Sequence, residues 1–172
     1  KEAARFEAQS RKMEGWVFTL HAPSYGPFMM YANKRNLREQ MYMAYNTRCT
    51  HDNAYNNFKI VEHIVNLRRE VAQLLGYKNY ADYALRRRMA QNAENVYELL
   101  DDLINSYLPK AKEEVEQVAQ KAKELEGDDF VMQPWDFSYY SQKLKHELYD
   151  YDPDMLRPYL ELSHVQKGVL AL

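Results

Sequence analysis

Apolar residues along most of this chain recur at steps of three and four, the spacing that gathers them on one side of an α-helix. The longest run spans 92–127, where Val96, Leu100, Leu103, Tyr107, Ala111, Val115, Val118, Ala122 and Leu125 keep the rhythm. Pro109 removes a backbone donor inside that run and crowds the turn before it, so a kink there, or two helices meeting near Tyr107, is expected. A second stripe of Phe58, Val61, Ile64, Val65, Val71, Ala72 and Leu75 predicts a helix capped by Asp52 or Asn53 and closed by Gly76. Asn79 then caps a shorter helix, with Asp82 three residues on in a capping-box arrangement. Arg86, Arg87 and Arg88 are placed on that helix as a solvated, salt-bridged face, because consecutive helical positions splay around the axis.

The remaining segments follow the same logic. Residues 1–14 read as the tail of a helix ended by Gly15, and 16–20 alternate as a short extended segment would. A loop with Pro23 and Pro27 follows, helix resumes near Phe28, and a further helical run passes through Leu37, Met41 and Tyr45. Pro134 suits the opening turn of a helix, and Asp136 is positioned to accept from its free N–H groups. Phe137, Tyr140, Leu144 and Leu148 then mark the face expected to be buried. Asp152 with Pro153 predicts a turn, and Ser163 a cap for a last helix from His164 to Leu172. The expected fold is all-α, a bundle-like arrangement of helices in which residues 1–172 form a single helical unit without a linker or repeat.

Composition sharpens this in three ways. Only 5 Gly and 6 Pro in 172 residues leave the helical patterns uninterrupted. A net charge of -2, with a pI near 6.2, removes the concentrated positive field that nucleic-acid binding requires. No apolar run approaches the length needed to cross a bilayer, and no secretory signal is visible, so neither nucleic acid nor membrane is expected as a partner. The single Cys49 fits a reducing compartment, and a cytoplasmic location is expected. The 15 Tyr suit helix junctions, and Met29, Met30, Met41 and Met43 are expected as core fillers rather than a peptide groove. Lys1 begins the chain in helix-forming residues without an initiator Met, and Leu172 ends an apolar run, so a piece of a longer polypeptide is expected.

Chemistry is sparse. A zinc hydrolase of the H-E-x-x-H type needs two imidazoles one helical turn apart and a Glu beside the metal-bound water. The nearest approach is His146-Glu147-Leu148-Tyr149-Asp150, where Asp replaces the second His and no further ligand is apparent. Glu62-His63 lacks the earlier His of the inverted motif, since Lys59 occupies that place. His21, His51 and His164 lie apart, and Cys49 near His51 reads as a buried small residue beside a surface imidazole. No Gly-rich phosphate loop or G-x-S-x-G elbow occurs. No catalytic residue and no metal ligand is therefore expected within the chain.

Several separated motifs do carry a resemblance. Gln133-Pro134-Trp135-Asp136 with Tyr139-Tyr140, then Leu156-Arg157-Pro158-Tyr159-Leu160-Glu161-Leu162, and earlier Leu75-Gly76-Tyr77, Asn79-Tyr80-Ala81 and Met89-Ala90, resemble the segment preceding the zinc site in the family of thimet oligopeptidase, oligopeptidase A and peptidyl-dipeptidase. The resemblance implies a parent that is a mostly helical zinc metallopeptidase hydrolysing short peptides, by overall likeness a peptidyl-dipeptidase, with zinc and its ligands supplied outside residues 1–172. The isolated piece is then expected to be inactive, with short peptides and the remainder of the parent chain as partners. Trp135 and Asp136 are motif positions with an expected structural role, while Tyr139 and Tyr140 are candidates for lining the substrate channel. The alternative is a non-enzymatic helical module that binds a peptide or protein.

Overall fold

The computed structural model describes residues 2–150, 155–156 and 159–171. It is all-α: among the described residues there are helices α1 (Glu2–Ser10), α2 (Ala22–Tyr31), α3 (Arg35–Asn46), α4 (Phe58–Leu74), α5 (Tyr80–Leu85), α6 (Ala93–Glu126), α7 (Phe137–Tyr149) and α8 (Leu162–Leu170), and no strand. Residues 16–20 stay without regular structure, tied by the Val17 N–H to the Ala4 carbonyl at 2.9 Å and by the Thr19 N–H to Ser24 Oγ at 2.9 Å. The chain divides into two compact units, residues 1–39 with 118–172, and residues 40–117. Both boundaries fall inside helices, α3 and α6, so no linker composition marks them.

In the first unit, α1 ends earlier than its composition suggests. The Met13 N–H bonds to the Ala8 carbonyl at 2.9 Å and the Lys12 N–H to Gln9 at 3.0 Å, with Lys12 itself at φ 57. This is a left-handed helix stop built on a non-glycine residue, three positions before Gly15. Helix α2 begins at Ala22, where a loop was expected, because Pro23 occupies a first-turn position at which no N–H is needed. Phe18 stands edge-on to Phe28 at 4.7 Å and Met29 is buried. Helix α2 packs on α7. The core gathers Val118 and Ala122 of α6 with Tyr139 and Tyr140 of α7, flanked by Phe130, Met132 and Leu144. Burying each tyrosine ring contributes about 2 kcal/mol. Tyr140 and Leu144 of the expected α7 face are covered, but Phe137 and Leu148 are exposed, and Tyr139 and Asp136 join the covered side in their place. The turn expected at Asp152 and Pro153 lies outside the described residues. Glu161, not Ser163, holds the cap position of α8, and Ser163 Oγ donates instead to Glu161 Oε2 at 2.5 Å.

The second unit contains α4 and α5, packed together. Helix α4 starts at Phe58, later than Asp52 or Asn53 would set it, because both Asn53 and Asn56 spend their side-chain oxygens on local turns, accepting from the N–H groups of Tyr55 and Phe58 at 2.9 Å each. Its far end is as expected: Gly76 at φ 78 lets the Tyr77 N–H reach the Ala72 carbonyl at 2.8 Å and its own N–H reach Gln73 at 3.0 Å. The α5 cap also forms as expected, with Asn79 Oδ1 accepting from the Asp82 N–H and Asn79 Nδ2 donating to Asp82 Oδ2, each at 2.9 Å. Arg86 to Arg88 lie just past α5 rather than on it, and Arg86 Nη1 donates to the Tyr77 hydroxyl at 2.8 Å. Cys49 is exposed at φ 61, not buried. Helix α6 runs unbroken from Ala93 through Pro109 to Glu126, so the two-helix alternative near Tyr107 does not hold.

Candidate functional site

The most highly organised cluster lies wholly in the first unit, where α3 begins, α2 ends and α7 begins. Arg35 and Arg38 stand three residues apart in the first turn of α3 and so share a face. Between them sits Asp136, fully buried in the turn before α7. Its Oδ1 accepts from Arg38 Nη2 at 2.9 Å and from Arg35 Nε at 3.2 Å. Its Oδ2 accepts from Arg35 Nη2 at 2.7 Å and from the Gln133 N–H at 3.0 Å. Asp136 thus occupies the cap position of α7 but gives its first turn no side-chain bond; only its main-chain carbonyl does, accepting from Tyr139 and Tyr140 at 3.1 Å each. The expectation that the carboxylate caps α7 is corrected by two guanidiniums, which form charge-assisted bonds stronger than a cap.

Arg38 is 1% exposed and does three jobs. Besides the ion pair, its Nη1 donates to the carbonyls of Ala32 and Asn33 at 2.8 and 3.2 Å, satisfying the end of α2, and its guanidinium lies 4.1 Å from the Tyr139 ring centre. Tyr139 returns to the same corner by donating its hydroxyl to Asn33 Oδ1 at 3.1 Å. Arg35, half exposed, stacks 4.6 Å over Phe130 and donates to the Val131 carbonyl at 3.0 Å. Tyr140, 2% exposed, packs edge-on against Phe130 and Tyr139 and bonds to Glu126.

The electrostatics follow from this geometry. Burial pushes the Asp136 carboxyl up, but the bonds from Arg35, Arg38 and the Gln133 N–H, with the charge of Arg35, outweigh it and hold the group below the usual carboxylate range. Arg35 is raised in turn, chiefly by its hydrogen bond to Asp136. Burial, followed by the bond to Glu126 and its charge, holds the Tyr140 phenol well above its ordinary value. An ionised carboxylate with both oxygens occupied has no lone pair placed for a substrate proton, so the cluster is suited to fixing three chain segments rather than to acid–base work.

Of the residues singled out by sequence, Asp136, Tyr139 and Tyr140 come together here, and both tyrosine rings are covered. Trp135 is half-buried on the wall of an adjoining open groove of about 590 Å³, shared with Arg35, Asn36, Glu39, Phe130 and Gln133. Arg35, Arg38 and Asn33 were not expected. Two arginines at helical spacing were the available signal, but their partner lies 98 and 101 residues away. Among the described residues no three His, Cys, Asp or Glu side chains are grouped to hold a metal ion. His146 and Asp150 approach to 3.8 Å, both exposed, and among the described residues no third ligand joins them. The described residues therefore do not fit a zinc site.

Comparison with known proteins places this scaffold. The model of Peptidase family M3 matches residues 28–172. The chain belongs to peptidase family M3. Oligopeptidase A of Escherichia coli (strain K12) is 41% identical over 171 residues, covering 97% of this chain and 25% of that protein. A probable cytosolic oligopeptidase A of Arabidopsis thaliana is 36% identical over 160 residues, 91% of this chain and 22% of that protein. Dipeptidyl carboxypeptidase of Escherichia coli (strain K12) is 27% identical over 164 residues, 95% and 24% respectively. The chain thus spans about a quarter of the length of the curated M3 relatives it matches. M3 peptidases are metallopeptidases, in keeping with the family resemblance of the motif around Trp135 and Asp136.

Proposed function

We propose that these 172 residues are a non-catalytic, load-carrying portion of a zinc-dependent oligopeptidase, in which the Arg35, Arg38 and Asp136 cluster holds the approach to α7 in register. The observation that carries this is 41% identity to an oligopeptidase A across 97% of the chain, joined to the lack of any metal-holding group among the described residues. The substrates of the whole protein are short peptides. The greater identity to oligopeptidase A than to dipeptidyl carboxypeptidase favours cleavage within oligopeptides over the release of C-terminal dipeptides, which overall likeness alone had suggested. On this reading Asp136 and Trp135 are structural, and Tyr139 and Tyr140 support the channel wall from behind rather than touching substrate. A cytoplasmic location is supported by the free thiol of Cys49 and by the likeness to a relative named as cytosolic.

The test compares the longer polypeptide with the 172-residue chain. Zinc analysis and cleavage of a quenched fluorescent oligopeptide, with products identified by mass, are expected to show about one zinc and internal cleavage for the former and neither for the latter. Stoichiometric zinc and turnover by the 172 residues alone would overturn the reading, and so would a longer polypeptide that neither binds zinc nor cleaves peptides. Products that are all C-terminal dipeptides would reinstate the dipeptidase specificity.

A further inference from the structure

The basic triplet Arg86 to Arg88 takes no part in the cluster around Asp136, and the salt bridges expected for it do not form among the described residues. It belongs to a concentration of charge in the second unit. Residues 68–88 hold Arg68, Arg69, Lys78 and the triplet against two acids, Glu70 and Asp82, a net charge of +4 in a chain whose total is -2. All six cations are exposed, and among the described residues none is ion-paired. Asp82 is engaged locally, accepting from Asn79 Nδ2.

Aromatic rings hold two of these cations in place. Arg68 of α4 lies 5.3 Å from the centre of the Tyr80 ring, and Arg86 lies 5.9 Å from that of Tyr77 while donating Nη1 to the Tyr77 hydroxyl at 2.8 Å. Tyr83 joins the two, 5.8 Å from Tyr80 and 5.5 Å from Tyr77. The row is fixed by local structure: the left-handed stop at Gly76 places Tyr77, the Asn79 cap starts the helix that carries Tyr80 and Tyr83, and that helix packs on α4. A guanidinium set against a ring keeps its in-plane N–H groups for an anion, and the ring does not cancel its charge as a carboxylate would. The two arginines are therefore positioned and uncompensated.

The chemistry of the occupant follows from the field. At physiological salt an exposed charge is felt over about 8 Å, so the patch acts on what touches it, and a chain negative overall exerts no long-range pull on a polyphosphate. Paired guanidinium forks match carboxylates, and peptides are the partner class that membership of family M3 supplies. We propose that Arg68 and Arg86, with the basic residues beside them, form a docking patch for peptides that carry acidic side chains, so that substrates containing Asp and Glu are favoured. The inference rests on the reading above, that the whole protein acts on short peptides, and it adds a charge preference among them.

The test uses the longer polypeptide. Binding of a short fluorescent peptide containing glutamates is measured by anisotropy against its counterpart with glutamine at the same places, after metal chelation so that both probes stay intact. The acidic peptide is expected to bind about tenfold more tightly at low salt, and the preference to fall to about twofold or less in Arg68→Gln with Arg86→Gln and at about 0.5 M salt. Arg11→Gln removes a like charge beside Glu7 in the other unit and is expected to leave the preference unchanged. If the double variant loses helix content, Arg87→Gln with Arg88→Gln, outside the aromatic row, replaces it with the same expected direction. No preference in the unsubstituted protein would overturn the proposal, and so would one that survives these substitutions. Tighter binding of a short oligonucleotide that displaces the peptide would overturn it in favour of nucleic acid. Failure to bind either probe, with substitutions that lower the thermal midpoint, would overturn it in favour of a patch covered by the rest of the polypeptide. Cleavage of both peptides by the metal-loaded protein separates the two readings: charge-dependent binding without cleavage sustains the patch and sinks the peptidase, and equal cleavage without a binding difference does the reverse.

Discussion

The Arg38 guanidinium meets the Asp136 carboxylate at 2.9 Å with neither side chain measurably in contact with solvent, 1% and 0% exposed. Two buried charges pair favourably only when their remaining bonding capacity is also met. Here it is met largely by the Ala32 and Asn33 carbonyls, the Gln133 N–H and Arg35. The result is one corner at which the end of α2, the start of α3 and the start of α7 are fixed together.

Removing one partner leaves the other charged and buried. Arg38→Met and Asp136→Asn are each expected to destabilise the fold by about 3–5 kcal/mol. Arg38→Lys should recover little, because a single ammonium cannot reach Asp136 and both carbonyls while lying flat on Tyr139. Arg35→Ala, at a half-exposed partner, should cost about 1 kcal/mol. Chemical denaturation midpoints check the order; equal losses for Arg35 and Arg38 variants would contradict the division of labour.

Acid stability should depend on Asp136. Its folded carboxyl lies below its unfolded value, so the unfolded chain takes up the proton first as pH falls. The contribution is intact above about pH 5, declines below about pH 3.9 and is gone once pH passes the folded value. Asp136→Asn, lower in stability at neutral pH, is expected to show a flatter stability profile over that acid range. A parallel profile in the two proteins would exclude the carboxylate as the source.

Alkali should reveal Tyr140 with the opposite sign. Its folded phenol is raised, so its contribution is present below the unfolded value of about 10 and is lost as pH climbs through the folded one. Tyr140→Phe cannot ionise and should flatten the loss of stability above about pH 10. Absorbance titration of phenolate against unfolding by circular dichroism separates this tyrosine from the exposed ones.

Local devices predict smaller effects. Asn79→Ala removes the acceptor for the Asp82 N–H and should cost about 1 kcal/mol. Thermal unfolding read through the Tyr77, Tyr80 and Tyr83 cluster beside that helix reports it.

Pro109 sits inside α6, where it gives no donor to the Asn105 carbonyl. Pro109→Ala is expected to stabilise by roughly 1–3 kcal/mol. A fall in the unfolding midpoint would mean that the break in the ladder is itself used by the fold.

Helices, their stops at Gly76 and the cap at Asn79 were determined by the sequence alone, because each depends on groups within about five residues of one another and on the three-four repeat. The same locality explains the errors at α1 and α4: Lys12 adopts a conformation usually left to glycine, and Asn56 competes with earlier residues for the same role. Tertiary structure alone decided what Asp136 does. At a helix start its carboxylate has nearby N–H groups available, but the charge-assisted bonds of Arg35 and Arg38, brought in from about a hundred residues away, are stronger and also relieve the burial of the charge. It also decided which apolar seam is covered, since a repeat states that a helix has a face to bury and says nothing of the neighbour that buries it.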